Sequence, residues 1–406
     1  MRICYIAGGL HYTPSAGPSS HVISLVEAMA RKGAMEVSLA FHGYREIPHL
    51  PVECLDLYDN EGSAPAPRAS SRPDDIAVNG INPRSYLRYA RRCRAFVRRH
   101  AERFDAVVER MWRAGGLVGA GLQSRGAVYV LEENGPPGRP RRNLSRTAGV
   151  GRPVRWVFHL LSLLYARRAY SRPHCIVVQT EELKKLLHRR FSVDPLRVRV
   201  IPNGVNMRLF RPTDQGRCRR ELGLDGNALM LLFVGSLDAY HDLIPCMEAM
   251  AGVNNPRIHL HVVGTGVCRD AAERAAMRLV PGRCTFHGPV PHSRVPLWIN
   301  AADICIAPYG KQAFEKRRFY FSPLKILEYM ACGKPVISQP HGEIARLVGH
   351  EYLISNTMEA WRERLASLPG KEALAAMGRI NAERALPYSW DAAADRYLEI
   401  IQEALP

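Results

Sequence analysis

Lys325 and Glu328 stand one helical turn apart in "SPLKILEYMACGKPVIS" (322–338), ahead of a glycine turn and a β-branched run that reads as a buried strand. The ammonium is a flexible point charge suited to an anion, and the carboxylate offers two acceptor oxygens suited to a pair of hydroxyl donors. Glu132, Glu133 and Asn134 close the run "VYVLEEN". Adjacent residues on an extended run face opposite ways, so the two glutamates are not a carboxylate pair, and one of them would orient or deprotonate a hydroxyl. Glu109 and Arg110 end the run "AVVER" at a strand's carboxyl end, where they could line a substrate site.

Strand-like and helical stretches alternate throughout, which predicts parallel sheets with crossover helices. The first half offers strands at 2–7, 36–41, 106–110, 128–132, 175–180 and 198–202. The second half restarts the pattern at 228–236, 257–264, 284–288, 304–309 and 335–338, after a linker in "IPNGVNMRLFRPTDQGR" (201–217). A chain of 406 residues exceeds the usual single core, so two domains of about 200 residues each are expected, with a cleft between them. Strands that run into glycine turns and helices make phosphate sites, because the first backbone N–H groups of a helix lack partners. Two such places are the turn "AGGLHYTPSAGPSSHV" (7–22), with Gly17 at its helix start, and the turn at Ser236 in "VGSLDAYHD". Neither Gly-x-Gly-x-x-Gly nor a Walker sequence occurs, which disfavours a dinucleotide fold site and a P-loop. The stretch from Pro65 to Pro83 reads as a long polar loop.

A net charge of +18 points to an anionic partner without choosing among nucleic acid, lipid and a phosphorylated substrate. Ten scattered cysteines without metal spacing fit a reduced, cytoplasmic chain with no structural metal. The N-terminus "MRICYIAGGL" reads as a strand and lacks the apolar core of a signal peptide, and no segment is long enough to span a bilayer. The Arg-rich stretch 84–104 has an amphipathic period and would either rest on anionic lipid at the inner membrane face or pack on a sheet. Its arginines carry little aromatic interleaving, which argues against nucleic acid.

In order, "IPNGVNMRLFRP", "LLFVGSLDAYHDL", "LHVVGTGV", "FHGPVP", "AADICIAPY" and "SPLKILEYMACGKPVIS" closely resemble the C-terminal half of family-four retaining glycosyltransferases of the GT-B fold. That resemblance implies two doubly wound, Rossmann-like α/β domains facing a central cleft. Residues 1–205 would bind the acceptor, 206–388 a nucleotide-sugar donor, and a final helix within 389–406 would pack back on the first domain. Glu328 matches the family carboxylate that accepts from the ribose hydroxyls. The family's partner carboxylate, eight residues earlier, is Tyr320 here, so the sugar is contacted differently.

The resemblance also assigns donor contacts to Gly17, Ser236, Ser322 and Leu324, and to the base-holding loop Gly288, Pro289 and Val290. Where the family grips the diphosphate with Arg and Lys, this chain has Ser236 and His241. Lys325 is the candidate for restoring the lost charge. Glu133 or Asn134 aligns with a His found near the reacting centre in many members, and Glu109 and Arg110 would contact the acceptor. The implied activity is metal-independent, retaining transfer from a nucleoside-diphosphate sugar, expected to be a UDP-sugar, to a hydroxyl of a glycolipid, glycan or small natural product, with no cofactor. A GT-B epimerase acting on UDP-sugars and a degenerate basic binding protein are the alternatives.

Overall fold

In a computed structural model of the chain, the structure describes residues 1–8, 17–33, 35–41, 47, 50–57, 83–112, 115–135, 152–224, 226–310, 320, 322–349 and 352–405. The expected loop from Pro65, and most of the glycine turn after Gly8, lie outside the described residues. The chain divides into two compact units, Met1–Pro202 with Ala393–Pro406, and Asn203–Ala392.

Among the described residues, the first unit is built on seven parallel strands: β1 (Arg2–Ile6), β2 (Glu36–Phe41), β3 (Glu53–Asp56), β4 (Ala106–Arg110), β5 (Val128–Glu133), β6 (Cys175–Val178) and β7 (Val198–Val200). Their order is β3-β2-β1-β4-β5-β6-β7, so the chain leaves β1 toward one edge and returns to build the other. That reversal puts a topological switch point between β1 and β4, outside whose carboxyl ends ligands bind in such sheets. The strands are near-continuous apolar runs because both faces are covered, and Ile3, Tyr5, Val107, Val130 and Ile176 are fully buried. Edge strand β3, "ECLD", is too short and polar to show an apolar pattern, and pairs through Ser38 and Glu53.

The Arg-rich stretch forms α2 (Pro83–Arg99). Tyr89, Cys93 and Phe96, spaced four and three residues apart, are buried, while Arg91, Arg94 and Arg98 are exposed. Its apolar stripe therefore lies in the core of this unit.

The second unit holds β8 (Leu229–Val234), β9 (Ile258–Val263), β10 (Cys284–Gly288), β11 (Ile304–Ala307) and β12 (Val336–Ser338), all parallel, in the order β10-β9-β8-β11-β12. Here the switch point falls between β8 and β11. Two glycine turns let the loops after β8 and β9 nest. Gly264 has φ +136, and a Cβ on it would lie 2.0 Å from the Gly235 carbonyl oxygen; one on Gly266 would lie 2.2 Å from that of Leu237. The segment after Pro202 is tied to the entry of the last helix, since Val205 donates to the Tyr388 carbonyl and Gly204 lies against Trp390.

Candidate active site

In the second unit, charged groups converge beyond the carboxyl end of central strand β8. Helix α10 (Leu324–Ala331) follows Pro323 and sends the Lys325 ammonium to 4.2 Å from the centroid of the Phe233 ring. A Cβ on Gly235 would lie only 2.7 Å from Lys325 Nζ, so this approach needs the glycine. Lys325 Nζ is 3.0 Å from His241 Nε2, and His241 Nδ1 is 3.0 Å from Asp238 Oδ1. The carboxylate fixes the tautomer: Nδ1–H donates to Asp238, leaving Nε2 to accept from the ammonium. Burial, then the Lys325 charge, lowers the His241 pKa to about 4 and keeps the ring neutral. Burial likewise lowers Lys325 to about 7, against the pull of Asp238 and Glu328.

One turn along α10, Glu328 Oε1 lies 3.0 Å from His292 Nε2. Burial disfavours a charge on His292, but the bond to Glu328 outweighs it and raises the imidazole pKa. Beneath, the Tyr329 hydroxyl accepts from the Val234 amide at 2.8 Å and locks α10 to β8. Gly288, at φ +73, accepts from the Gly264 amide at 2.8 Å, with Pro289 exposed and Val290 half-buried after it.

The first unit has its own polar centre at the end of β5. Glu132, fully buried, accepts from the Tyr5 hydroxyl at 2.7 Å and the Tyr397 hydroxyl at 2.8 Å, lies 2.9 Å from His21 Nε2, and is bonded by Asn134. Burial alone would keep this carboxyl neutral. The His21 and Arg110 charges, with the hydrogen bonds, hold it well below the usual carboxylate range instead. Glu133 faces the other way, accepting from the Tyr170 hydroxyl at 2.5 Å, and burial raises its pKa to about 7.

The family models agree with this architecture at both ends. Glycosyltransferase Family 4 matches residues 16–209, and Glycosyl transferases group 1 matches residues 228–369. The chain belongs to glycosyltransferase family 4. A D-inositol 3-phosphate glycosyltransferase of Segniliparus rotundus is 31% identical over 242 residues, covering 57% of this chain and 52% of that protein. The chain spans about half the length of the curated relatives it matches. Among solved structures, sucrose-phosphate synthase from Thermosynechococcus elongatus matches at a TM-score of 0.73 and 20% identity, over 99% of this chain and 98% of that one. Anabaena HepE in complex with UDP and glucose matches at 0.68 and 15%, over 99% and 100%. These likenesses show the GT-B fold.

Several family-derived expectations meet a specific setting here. Lys325 is in contact with His241, one of the two positions matched to the family pair, and lies beside Gly235, the neighbour of Ser236, the other. Ser236 is exposed but does not begin a helix, which is a correction: the next helix, α7 (Ile244–Gly252), starts after a turn in which Asp238 and Asp242 cap the amides of Tyr240 and Ile244, with Pro245 setting the helix start. Gly17 does open its helix, α1 (Gly17–Ala30). Ser322 is buried and occupied, accepting from the Asn203 amide through its hydroxyl and from the Asn203 side chain through its carbonyl. Tyr320 is buried, and Leu324 is the first residue of α10.

Glu109 is a second correction. Its two oxygens accept from the amides of Gly116 and Gly119 at 2.7 Å each, capping α3 (Leu117–Gln123), so in this structure it is a fully buried helix cap. Burial raises its pKa to about 7. Arg110 lies 3.7 Å from Glu132. Sequence reading missed Asp238, His292, His21 and the central place of Glu132. Only His292 carried a local signal, two residues beyond Val290 in "FHGPVPHS".

Proposed function

We propose that this chain transfers a sugar, with retention of anomeric configuration and without a metal, from a UDP-sugar to an acceptor hydroxyl. The donor occupies the second unit. Glu328 accepts from the ribose hydroxyls, the backbone of Gly288 to Val290 holds the base, and Lys325 meets the diphosphate from its perch beside Gly235. As the bond between the anomeric carbon and the diphosphate oxygen breaks, negative charge grows on the leaving group and the Lys325 ammonium stabilises it. The new bond forms from the acceptor oxygen on the same face, and the acceptor proton passes to the departing phosphate.

The observation that carries this reading is the Asp238–His241–Lys325 chain at the end of β8, in a sequence that lacks the family's diphosphate-binding pair. Support for the substrates comes from HepE, solved with UDP and glucose, and from relatives named as D-inositol 3-phosphate glycosyltransferases.

A thermal-shift screen of nucleoside diphosphates and their sugars tests it. UDP compounds at 100 times their dissociation constant should stabilise by about 2.7 kcal/mol, with or without EDTA. Stabilisation that needs a divalent ion, or none with any nucleotide, would remove the proposal. NMR of the product linkage then decides between retention and inversion.

A further inference from the structure

Helix α4 (Arg152–Ser171) turns Ala166, Ala169 and Tyr170 into the first unit, where Tyr170 stacks edge-on against Phe191 at 5.1 Å. Tyr165 adds a bond from its hydroxyl to the Gly115 carbonyl at 2.8 Å. These contacts fix the helix about its axis, so its other face stays outward. On that face Leu160 and Leu161 are 41% and 53% exposed, and Leu164, one turn on, is 51% exposed. Arg167 and Arg168 follow on the next turn, also exposed. Isolated exposed leucines are ordinary, but three on adjoining turns form a patch.

The surrounding sequence selects what covers it. Between Glu133 and Glu181 there are nine arginines, no lysine, and no Asp or Glu, so this tract supplies half of the net charge of +18. A protein partner would need a matching cluster of carboxylates, whereas an anionic lipid surface offers negative charge continuously. An apolar patch followed on the next helical turn by the exposed Arg167 and Arg168 matches the boundary of an anionic bilayer, where leucines enter the acyl region and arginines stay at the phosphates. Among its described residues helix α2 offers no such patch, because its apolar stripe is buried and Leu87 alone is an exposed leucine.

We propose that the α4 face carrying Leu160, Leu161, Leu164, Arg167 and Arg168 docks on an anionic phospholipid bilayer. Docking is peripheral, and among the described residues no helix is long and apolar enough to cross a membrane. The proposal does not depend on the sugar chemistry.

Co-sedimentation of the full chain with phosphatidylcholine vesicles, with and without one quarter phosphatidylglycerol, tests it. Binding should require the anionic lipid and weaken with salt. Replacing Leu160, Leu161 and Leu164 together by Ser should lower the partition coefficient about tenfold or more while circular dichroism is unchanged. Arg167→Glu with Arg168→Glu should lower it by at least about fivefold per charge removed, which keeps the test informative should the Ser variant fail to fold. Three results would overturn the proposal: no binding to the anionic vesicles, α4 variants that bind like wild type while an α2 variant (Arg91→Glu, Arg94→Glu, Arg98→Glu) does not, or a wild-type dimer that the leucine replacements dissociate without affecting vesicle binding.

Discussion

Donor binding should take up a proton. Before ligand arrives, burial holds the Lys325 pKa at about 7, so at pH 8 only about one tenth of the molecules carry the ammonium. A diphosphate beside Nζ favours the charged form and returns the pKa toward or above its ordinary 10.4. The complex therefore holds more protons than its separated parts, and about 0.9 proton per donor should be absorbed at pH 8. The sign follows from the same linkage. Affinity is fully present below about pH 7, falls about tenfold per pH unit above it, and levels off only at the pKa of the bound state. A UDP-sugar is the better ligand for this measurement, because the terminal phosphate of free UDP titrates near pH 6. Calorimetry at pH 8 in two buffers of different ionisation enthalpy gives the uptake as the slope of the binding enthalpy. Lys325→Met should flatten that slope, whereas His241→Gln should keep it, since a ring whose pKa is about 4 is neutral at pH 8. Absence of uptake in wild type, or equal uptake in the Met variant, would refute the assignment of this cation to the diphosphate.

Glu328→Gln should weaken donor binding by about 1.5 to 3 kcal/mol, and unchanged affinity in a folded variant would dissociate this carboxylate from the ribose. The same change should flatten a stability profile. The His292 pKa is raised in the folded chain, so its contribution is present below pH 6.5 and lost as pH rises through the folded value. Removing the Tyr397 hydroxyl by Tyr397→Phe takes one donor from a buried carboxylate and should cost about 1.5 to 3 kcal/mol in urea unfolding; a neutral result would show that Glu132 needs no phenol there. Gly264→Ala combines a left-handed φ with a collision against Gly235 and should destabilise by more than about 2 kcal/mol in the same assay, with wild-type stability counting against the nested turns.

What the sequence made legible was local and periodic. Runs such as "LMLLFV" announce a strand covered on both faces, and a Lys and a Glu three residues apart announce one turn of helix. Strand β3 escaped because four residues, two of them acidic, carry no apolar period. The Glu132 centre escaped for another reason. Tyr5 lies 127 residues before it and Tyr397 lies 265 after it, and nothing in a single chain of letters marks such partners. Glu109 was misread because a carboxylate at a strand's end looks the same whether it meets a substrate or the amides of the next helix. For Lys325, family resemblance exposed a missing charge, but the residues that hold the replacement, His241 and Asp238, became apparent only once α10 was seated against β8.

Residues 393–406 belong to the unit that begins at Met1, although all of 203–392 comes between them. On the ribosome, then, the unit synthesised first is the last to be finished. Residues 203–392 are contiguous and contain every described strand of their sheet, so they can close as they emerge. The earlier unit must wait with the Glu132 charge short of one phenol donor until Tyr397 leaves the exit tunnel. A premature stop in α14 (Trp390–Ala404) would thus injure the distant amino-terminal unit first, and an amino-terminal fragment expressed alone would need this short carboxyl-terminal segment supplied as a peptide or by fusion.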